Sequence, residues 1–394
     1  MRGTAPTPLE APAGLEALVE RYDPDALHLP RGRARVRLAV VGGDAFDALL
    51  DAGGARLRPP GGEPDALLVA DGATWDRIAS DVRAAMTAFR RRRLLVRRDL
   101  HVGVGFLAAT TGADEPGRLR FRSVPATIGD LSVAEAGVGE PVVAIHGLGG
   151  TKVSFMSTIA ALAPEGYRVI ALDLPGSGES VKPLAAPYNA PYFTRSVTAL
   201  LDALGLGRAH LIGNSMGGRV AIEVGLRASE RARTLVLLSP ALAWLRERPF
   251  APLLRLLRPE LGLLQPAPRS IVEGVVRRLV PGATDGWAAA GVDEFLRGYL
   301  TPRGRAAFYA AARNIYLDEP HGELGFWTRL AALSPDALFV WGREDRLVPI
   351  GFRRHVERAL PTARHVELDC GHVPQMEAPR ETHAAILEFF RSRA

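Results

Sequence analysis

Apolar and polar positions in the first hundred residues follow two different periods. Leu9 to Tyr22 carries a short helical pattern. From Arg35 onward, arginine alternates with apolar residues (Arg35, Val36, Arg37, Leu38), which predicts a half-exposed strand ending near Val41. Asp65–Ala70 predicts another short apolar strand. The clearest helix of this half is predicted over Thr74–Phe89. Trp75, Ile78, Val82, Met86 and Phe89 fall at steps of three and four and so share one face. Thr74 is its expected N-cap, with Asp76 in the first turn. Arg90–Arg93 follows at the C-terminal end, where cations are favoured.

The pattern changes near residue 115. Thr111 to Gly117 is small, acidic and turn-rich, which marks a domain edge. Beyond it, Pro141–Ile145, Tyr167–Leu172, Ala209–Gly213, Arg233–Leu238, Ala337–Trp341 and Arg364–Leu368 are short apolar runs. Helical stretches separate most of them, which predicts a mostly parallel sheet. From Ser239 to about Leu330 the alternation breaks into a Leu-, Arg- and Pro-rich segment of several helices. Such an insertion is expected to be a lid or cap.

Composition adds little to this division. A chain of 394 residues, 47% hydrophobic and 23% charged, is expected to form two or three globular domains. The net charge of +6 is mild. Lys152 and Lys182 are the only lysines, so the positive charge is nearly all arginine. No stacking aromatics interleave with the arginines, and no nucleic-acid partner is expected. Cys370 is the sole cysteine, which excludes an intrachain disulfide and a thiolate metal cluster. No apolar run approaches the ~18 residues of a membrane span. Met1–Gly14 lacks an apolar signal core, so a cytoplasmic protein is expected.

The chemistry concentrates after residue 140. Gly213-Asn214-Ser215-Met216-Gly217-Gly218 follows an apolar strand and opens a helical stretch, Arg219–Arg227. G-x-S-x-G in that setting is a nucleophile elbow. A serine hydroxyl needs a base, and the base needs an orienting carboxylate. In the chain order Ser, acid, His, Asp345 and His372 each follow a predicted strand, where parallel sheets place their sites. Glu344 is the rival acid. Val142-Val143-Ala144-Ile145-His146-Gly147-Leu148-Gly149-Gly150 is a strand running into a glycine-rich turn, without the Gly-Lys-Ser/Thr ending of a phosphate loop. The N–H groups of Leu148 and Met216 are the expected oxyanion donors. His146 is expected to brace the turn rather than move protons. Gly147, Trp244 and Val373 are expected beside the substrate. Cys370 is expected near the site but inert.

These motifs, with Asp173-Leu174-Pro175-Gly176-Ser177-Gly178-Glu179-Ser180, Trp341-Gly342 and Gly371-His372, resemble the α/β-hydrolase superfamily over residues ~119–394. The resemblance implies an eight-stranded, mostly parallel sheet with a helical cap. Asp65–Val69, Thr74-Trp75, Met86–Phe89, Leu94–Val96 and Asp99-Leu100 resemble the sterol carrier protein type two family over ~15–112. That resemblance implies a smaller α+β domain with an apolar tunnel for acyl chains or sterols. Arg92 and Arg98 stand where that family usually has glycine. The expected domains are thus 1–113 and 118–394, with the cap at about 240–330.

The expected function is hydrolysis of a lipophilic carboxylic ester, lipid esters included, through Ser215, His372 and Asp345, without cofactor or metal. Apolar cap residues such as Trp244, Leu245, Phe250, Leu253, Leu254, Trp287 and Phe295 point to a lipophilic substrate. Lipid is a further expected ligand of the N-terminal domain, with at most peripheral membrane contact. Two alternatives stand. Gly-Asn-Ser-Met-Gly-Gly is similar to the hydrolases of meta-cleavage products, which break carbon–carbon bonds, although Val373 stands where those enzymes usually have Trp. The other is a lipid-binding protein without catalysis.

Overall fold

In a computed structural model of the chain, the structure describes residues 12–112, 117–243, 249, 251–279, 286–316 and 319–393. The chain divides into two compact units. The first comprises residues up to Arg120 together with Gly282–Asp293; the second is the remainder.

The first unit is built on a five-stranded sheet of β1 (Arg33–Val40), β2 (Ala45–Asp51), β3 (Gly54–Arg58), β4 (Ala66–Ala70) and β5 (Leu94–Arg98), in the order β3-β2-β1-β4-β5. The alternation in β1 is real. Val36 and Leu38 are fully buried, while Arg35 and Arg37 both reach the buried Asp47 on β2 at 2.8 Å. The first helix is Ala13–Glu20; the earlier part of that expected segment, 9–11, lies outside the described residues.

The expected helix over 74–89 is two helices, Gly72–Ser80 and Ala84–Arg90. Asp81 breaks it. Its backbone is extended and its carboxylate accepts from the Arg83 N–H, a local bond that competes with helix continuation. Thr74 is not the N-cap. Asp71 is, accepting from the Thr74 N–H at 2.7 Å. Trp75 and Ile78 are buried, whereas Val82, Met86 and Phe89 are only half-buried. Arg92 and Arg98 adopt φ of 57° and 74°, the left-handed backbone that glycine takes most easily. Arg92 follows the second helix as its left-handed C-terminal residue, with the Arg93 N–H returning to the Ala88 carbonyl. Part of the expected linker, 113–116, lies outside the described residues.

The second unit contains an eight-stranded sheet. Its strands are β6 (Arg120–Ala126), β7 (Gly129–Ala136), β8 (Glu140–Ile145), β9 (Tyr167–Leu172), β10 (Ala209–Asn214), β11 (Ala232–Leu238), β12 (Asp336–Gly342) and β13 (Arg364–Leu368). The order is β13-β12-β11-β10-β8-β9-β7-β6. Neighbours from β9 to β13 pair in parallel, and β7 joins β9 antiparallel. The six apolar runs of the sequence are β8–β13. Leu211, Ile212, Leu235–Leu238, Phe339–Trp341 and their neighbours are almost wholly buried, as a sheet covered on both faces requires. Between β11 and β12 the described residues form six helices: Ala251–Leu256, Pro259–Leu264, Arg269–Leu279, Gly286–Tyr299, Pro302–Tyr316 and Phe326–Leu330.

The helix after β10, Met216–Arg227, is pinned by one buried carboxylate. Glu223 is fully buried and meets Arg219 at 2.7 Å, Arg227 at 2.8 Å and Arg329 at 2.8 Å. Burial alone would raise its carboxyl. The Arg219 and Arg329 charges outweigh burial and hold it down at about 2, against an ordinary 4.5. A carboxyl lowered in the folded state stabilises above its unfolded value and loses that contribution as pH falls. About 3 kcal/mol should therefore disappear between pH ~5 and ~2. Glu223→Gln should cost about 3–5 kcal/mol at neutral pH, because Arg219 stays buried without its anion. It should also flatten the acid limb. Urea unfolding of both proteins across that pH range checks the sign and the size.

Candidate active site

Ser215 sits between β10 and its following helix with φ 51° and ψ −115°, a strained backbone for a residue with a Cβ. The strain is tolerable because its neighbours are glycines. A Cβ on Gly213 would lie 2.3 Å from the Gly217 carbonyl oxygen, and one on Gly217 would lie 2.0 Å from that of Ile145. Side chains at either position would force the elbow apart. The Ser215 N–H is held by the Leu238 carbonyl of β11, and its carbonyl accepts from Ala241 and Arg219.

Asp345 follows β12 and His372 follows β13. His372 Nδ1–H donates to Asp345 Oδ2 at 2.7 Å. The second oxygen, Oδ1, accepts from the Leu347 and Val348 N–H groups, both at 2.8 Å. Both oxygens are thus committed, which fixes the carboxylate plane and, with it, the imidazole. Glu344 is exposed and points its backbone, not its side chain, at this loop, donating its N–H to the Cys370 carbonyl. His372 Nε2 is buried and has no hydrogen-bond partner among the described residues. Asn214, the residue before Ser215, donates to the His372 carbonyl at 3.0 Å, so the elbow and the histidine loop are joined.

Glu377 is a residue the sequence did not single out. Its two oxygens accept from the Gly371 and Val373 N–H groups, at 2.7 and 2.8 Å, and so clamp the backbone on either side of His372. A glutamate five residues after a histidine, inside a helix, carries no sequence signal for that role. Cys370 is buried, and burial together with Glu377 and Asp345 pushes its thiol up to about 12. It is a protonated, inert neighbour at neutral pH.

The glycine turn after β8 abuts the elbow: a Cβ on Gly147 would lie 3.1 Å from that of Ser215. His146 braces it as expected. Its Nδ1–H donates to the Gly147 carbonyl at 2.7 Å, and Nε2 accepts from the Leu174 N–H at 3.0 Å. Burial lowers its basicity, against the opposing pull of Asp173, so the ring stays neutral and keeps this tautomer. Behind it, Asp173 is fully buried and accepts from Lys152 Nζ at 2.5 Å and from the Lys152 and Glu179 N–H groups. Burial would raise that carboxyl, but Lys152 and His146 hold it far below the usual carboxylate range. Gly178 is required here, since a Cβ would lie 2.0 Å from the Asp173 carboxylate.

Leu148 and Met216 line one cavity. Its walls are mainly apolar. Phe193, Phe295, Tyr299 and Phe308 face it, and Phe295 stacks on Tyr299 with ring centroids 5.1 Å apart. Phe295 was legible in the sequence; Phe193, Tyr299 and Phe308 were not, because nothing local separates them from core aromatics. Among the described residues of the lining Glu294 is the one charged side chain, paired with Arg297 at 2.7 Å. Gly147 and Val373 do not line this cavity. They stand beside Ser215 and His372 instead. Trp244, Leu245 and Phe250 lie outside the described residues. The described residues contain no group of three or more His, Cys, Asp or Glu that could hold a metal ion.

Comparison with known proteins agrees with this fold. A hydrolase from Comamonas testosteroni, named for 2-hydroxy-6-oxo-6-phenylhexa-2,4-dienoate, is 30% identical over 270 residues, covering 66% of this chain and 90% of its own. A 2-hydroxy-6-oxononadienedioate/2-hydroxy-6-oxononatrienedioate hydrolase from Burkholderia vietnamiensis is 32% identical over 266 residues, covering 65% and 89%. Among solved structures, a thermophilic esterase from Thermogutta terrifontis superposes with a TM-score of 0.56 at 27% identity, covering 70% of this chain and 99% of its own. The family described as alpha/beta hydrolase fold matches residues 140–379, and the chain belongs to it.

Proposed function

We propose that the chain is a serine hydrolase in which Ser215 attacks a substrate carbonyl. His372 Nε2 takes the hydroxyl proton and returns it to the leaving group. Asp345 holds the imidazole tautomer and stabilises the imidazolium. The N–H groups of Leu148 and Met216 receive the oxyanion, and water then releases the acyl group. The observation that carries this reading is the His372–Asp345 pair, with both carboxylate oxygens committed and Nε2 left open, joined through Asn214 to a strained serine.

The bond broken has two readings. Sequence similarity favours a carbon–carbon bond beside a ketone, since the relatives named above are hydrolases named for 6-oxo dienoate and dienedioate substrates. The cavity chemistry favours an ester. Among the described residues its lining offers aromatic faces and Glu294 but no lysine or arginine to meet a dienoate carboxylate. We rank carbon–carbon cleavage first, on the relatives. Parallel assays with 2-hydroxy-6-oxo-6-phenylhexa-2,4-dienoate and p-nitrophenyl butyrate separate the two. The first reading expects kcat/KM on the dienoate to exceed that on the ester at least tenfold, and the reverse ratio selects the ester. No turnover of either, with no labelling of Ser215 by a fluorophosphonate, would remove the hydrolase reading.

For the N-terminal unit we propose a lipid-binding role. Supporting it are the motif resemblance over ~15–112 and the five-stranded sheet with helices that this unit forms. No described helix is long and apolar enough to cross a membrane. We propose a cytoplasmic location.

A further inference from the structure

Twelve large hydrophobic side chains are exposed among the described residues, and six of them fall between residues 253 and 271. Single exposed apolar residues are ordinary, but a run of this density is not. Leu253 and Leu256 stand 64% and 68% exposed on the helix Ala251–Leu256. Leu261 and Leu264 stand 49% and 82% exposed on the next, Pro259–Leu264. Each pair is spaced by three, so each lies on one edge of its helix. Both helices pack on the helix Pro302–Tyr316. The contact is close enough that a Cβ on Gly262 would lie 2.7 Å from the Ala306 Cα. Pro302–Tyr316 in turn lines the cavity with Ala307, Phe308 and Ala311. The leucines thus lie one helix layer outside the cavity wall.

Charge selects the occupant. Residues 251–279 hold five arginines against two glutamates. Arg255, Arg258 and Arg269 are exposed among the leucines. Apolar side chains interleaved with arginine fit the headgroup boundary of an anionic bilayer, where the leucines enter the acyl region and the guanidiniums meet phosphate. We infer that the outer face of helices Ala251–Leu256 and Pro259–Leu264 docks on anionic phospholipid surfaces, beside the cavity lined by Leu148 and Met216. The inference is independent of which bond the triad cleaves.

Co-sedimentation of the full chain with phospholipid vesicles tests it. Wild-type protein should partition at least tenfold more strongly onto phosphatidylglycerol/phosphatidylcholine vesicles than onto phosphatidylcholine alone. Binding should fall with added salt. Leu256→Ser with Leu264→Ser should reduce binding at least tenfold. Arg255→Gln with Arg258→Gln should remove the preference for the anionic lipid. Melting midpoints by circular dichroism confirm that both double variants are folded. Absence of wild-type binding, or binding that both variants retain, overturns the inference. So does a vesicle-free dimer that the leucine variant dissociates, since the face would then belong to a second copy of the chain.

Discussion

Ser215→Ala is expected to lower kcat by about 10⁶-fold on whichever substrate the wild-type protein turns over, with the fold intact. The size follows from what the hydroxyl does. Without it there is no acyl-enzyme, and His372 can only assist water directly, so what remains comes from the oxyanion donors and from binding. The backbone makes a second, independent readout available. At φ 51° and ψ −115°, Ser215 holds a conformation that costs of order 1–3 kcal/mol for a residue with a Cβ. Ser215→Gly should therefore be as inactive as the alanine variant yet raise the unfolding free energy by about 1–2 kcal/mol. Loss of activity paired with gained stability separates a strained functional position from a merely structural one. A Ser215→Ala protein with activity within tenfold of wild type would refute the assignment.

The parts of this molecule that were legible in the sequence are those whose pattern is set by local physics. Strands β8–β13 stand out because a sheet covered on both faces needs unbroken apolar runs, and these have them. The elbow stands out because only glycine satisfies the close approaches at 213 and 217. Strands β6 and β7 were not read from the apolar pattern. Arg120–Ala126 carries polar residues at half-exposed positions, and Gly129–Ala136 includes the buried Ser132, whose backbone N–H donates to Ser180 Oγ nearly fifty residues away. Asp81 misled in the opposite direction. The apolar spacing runs through it, but one side-chain bond to the Arg83 N–H ends the helix that the spacing predicts. Leu94–Arg98, the strand that follows, places Arg97 against Asp293, nearly two hundred residues away. No window of sequence reports such a pairing. It also explains why residues 286–293, expected as part of the cap, cluster with the first unit. Side-chain contacts with no periodic signature, local at Glu377 and long-range at Asp293, are what the sequence left dark.

The choice between Asp345 and Glu344 can be put to the same kind of test. Asp345→Asn should reduce kcat by about 10⁴-fold while leaving the loop in place. Asp345 Oδ1 accepts two backbone N–H groups, and Oδ2 accepts the His372 Nδ1 proton. An asparagine keeps the first arrangement only by turning its carbonyl oxygen toward Leu347 and Val348. Its amide nitrogen, a donor, then faces His372 Nδ1. The imidazole must answer as an acceptor, which moves its proton to Nε2, the nitrogen required to take the serine proton. The variant is thus folded, with the histidine in place but in the wrong tautomer. Glu344 has no such leverage: its side chain is exposed, and only its N–H joins the loop. Glu344→Gln should leave kcat within about twofold, as exposed substitutions away from a site do. Measuring both variants on the substrate that the wild-type protein prefers, with melting midpoints to exclude unfolding, decides the matter. Equal losses in the two would assign the orienting role to the loop as a whole rather than to Asp345.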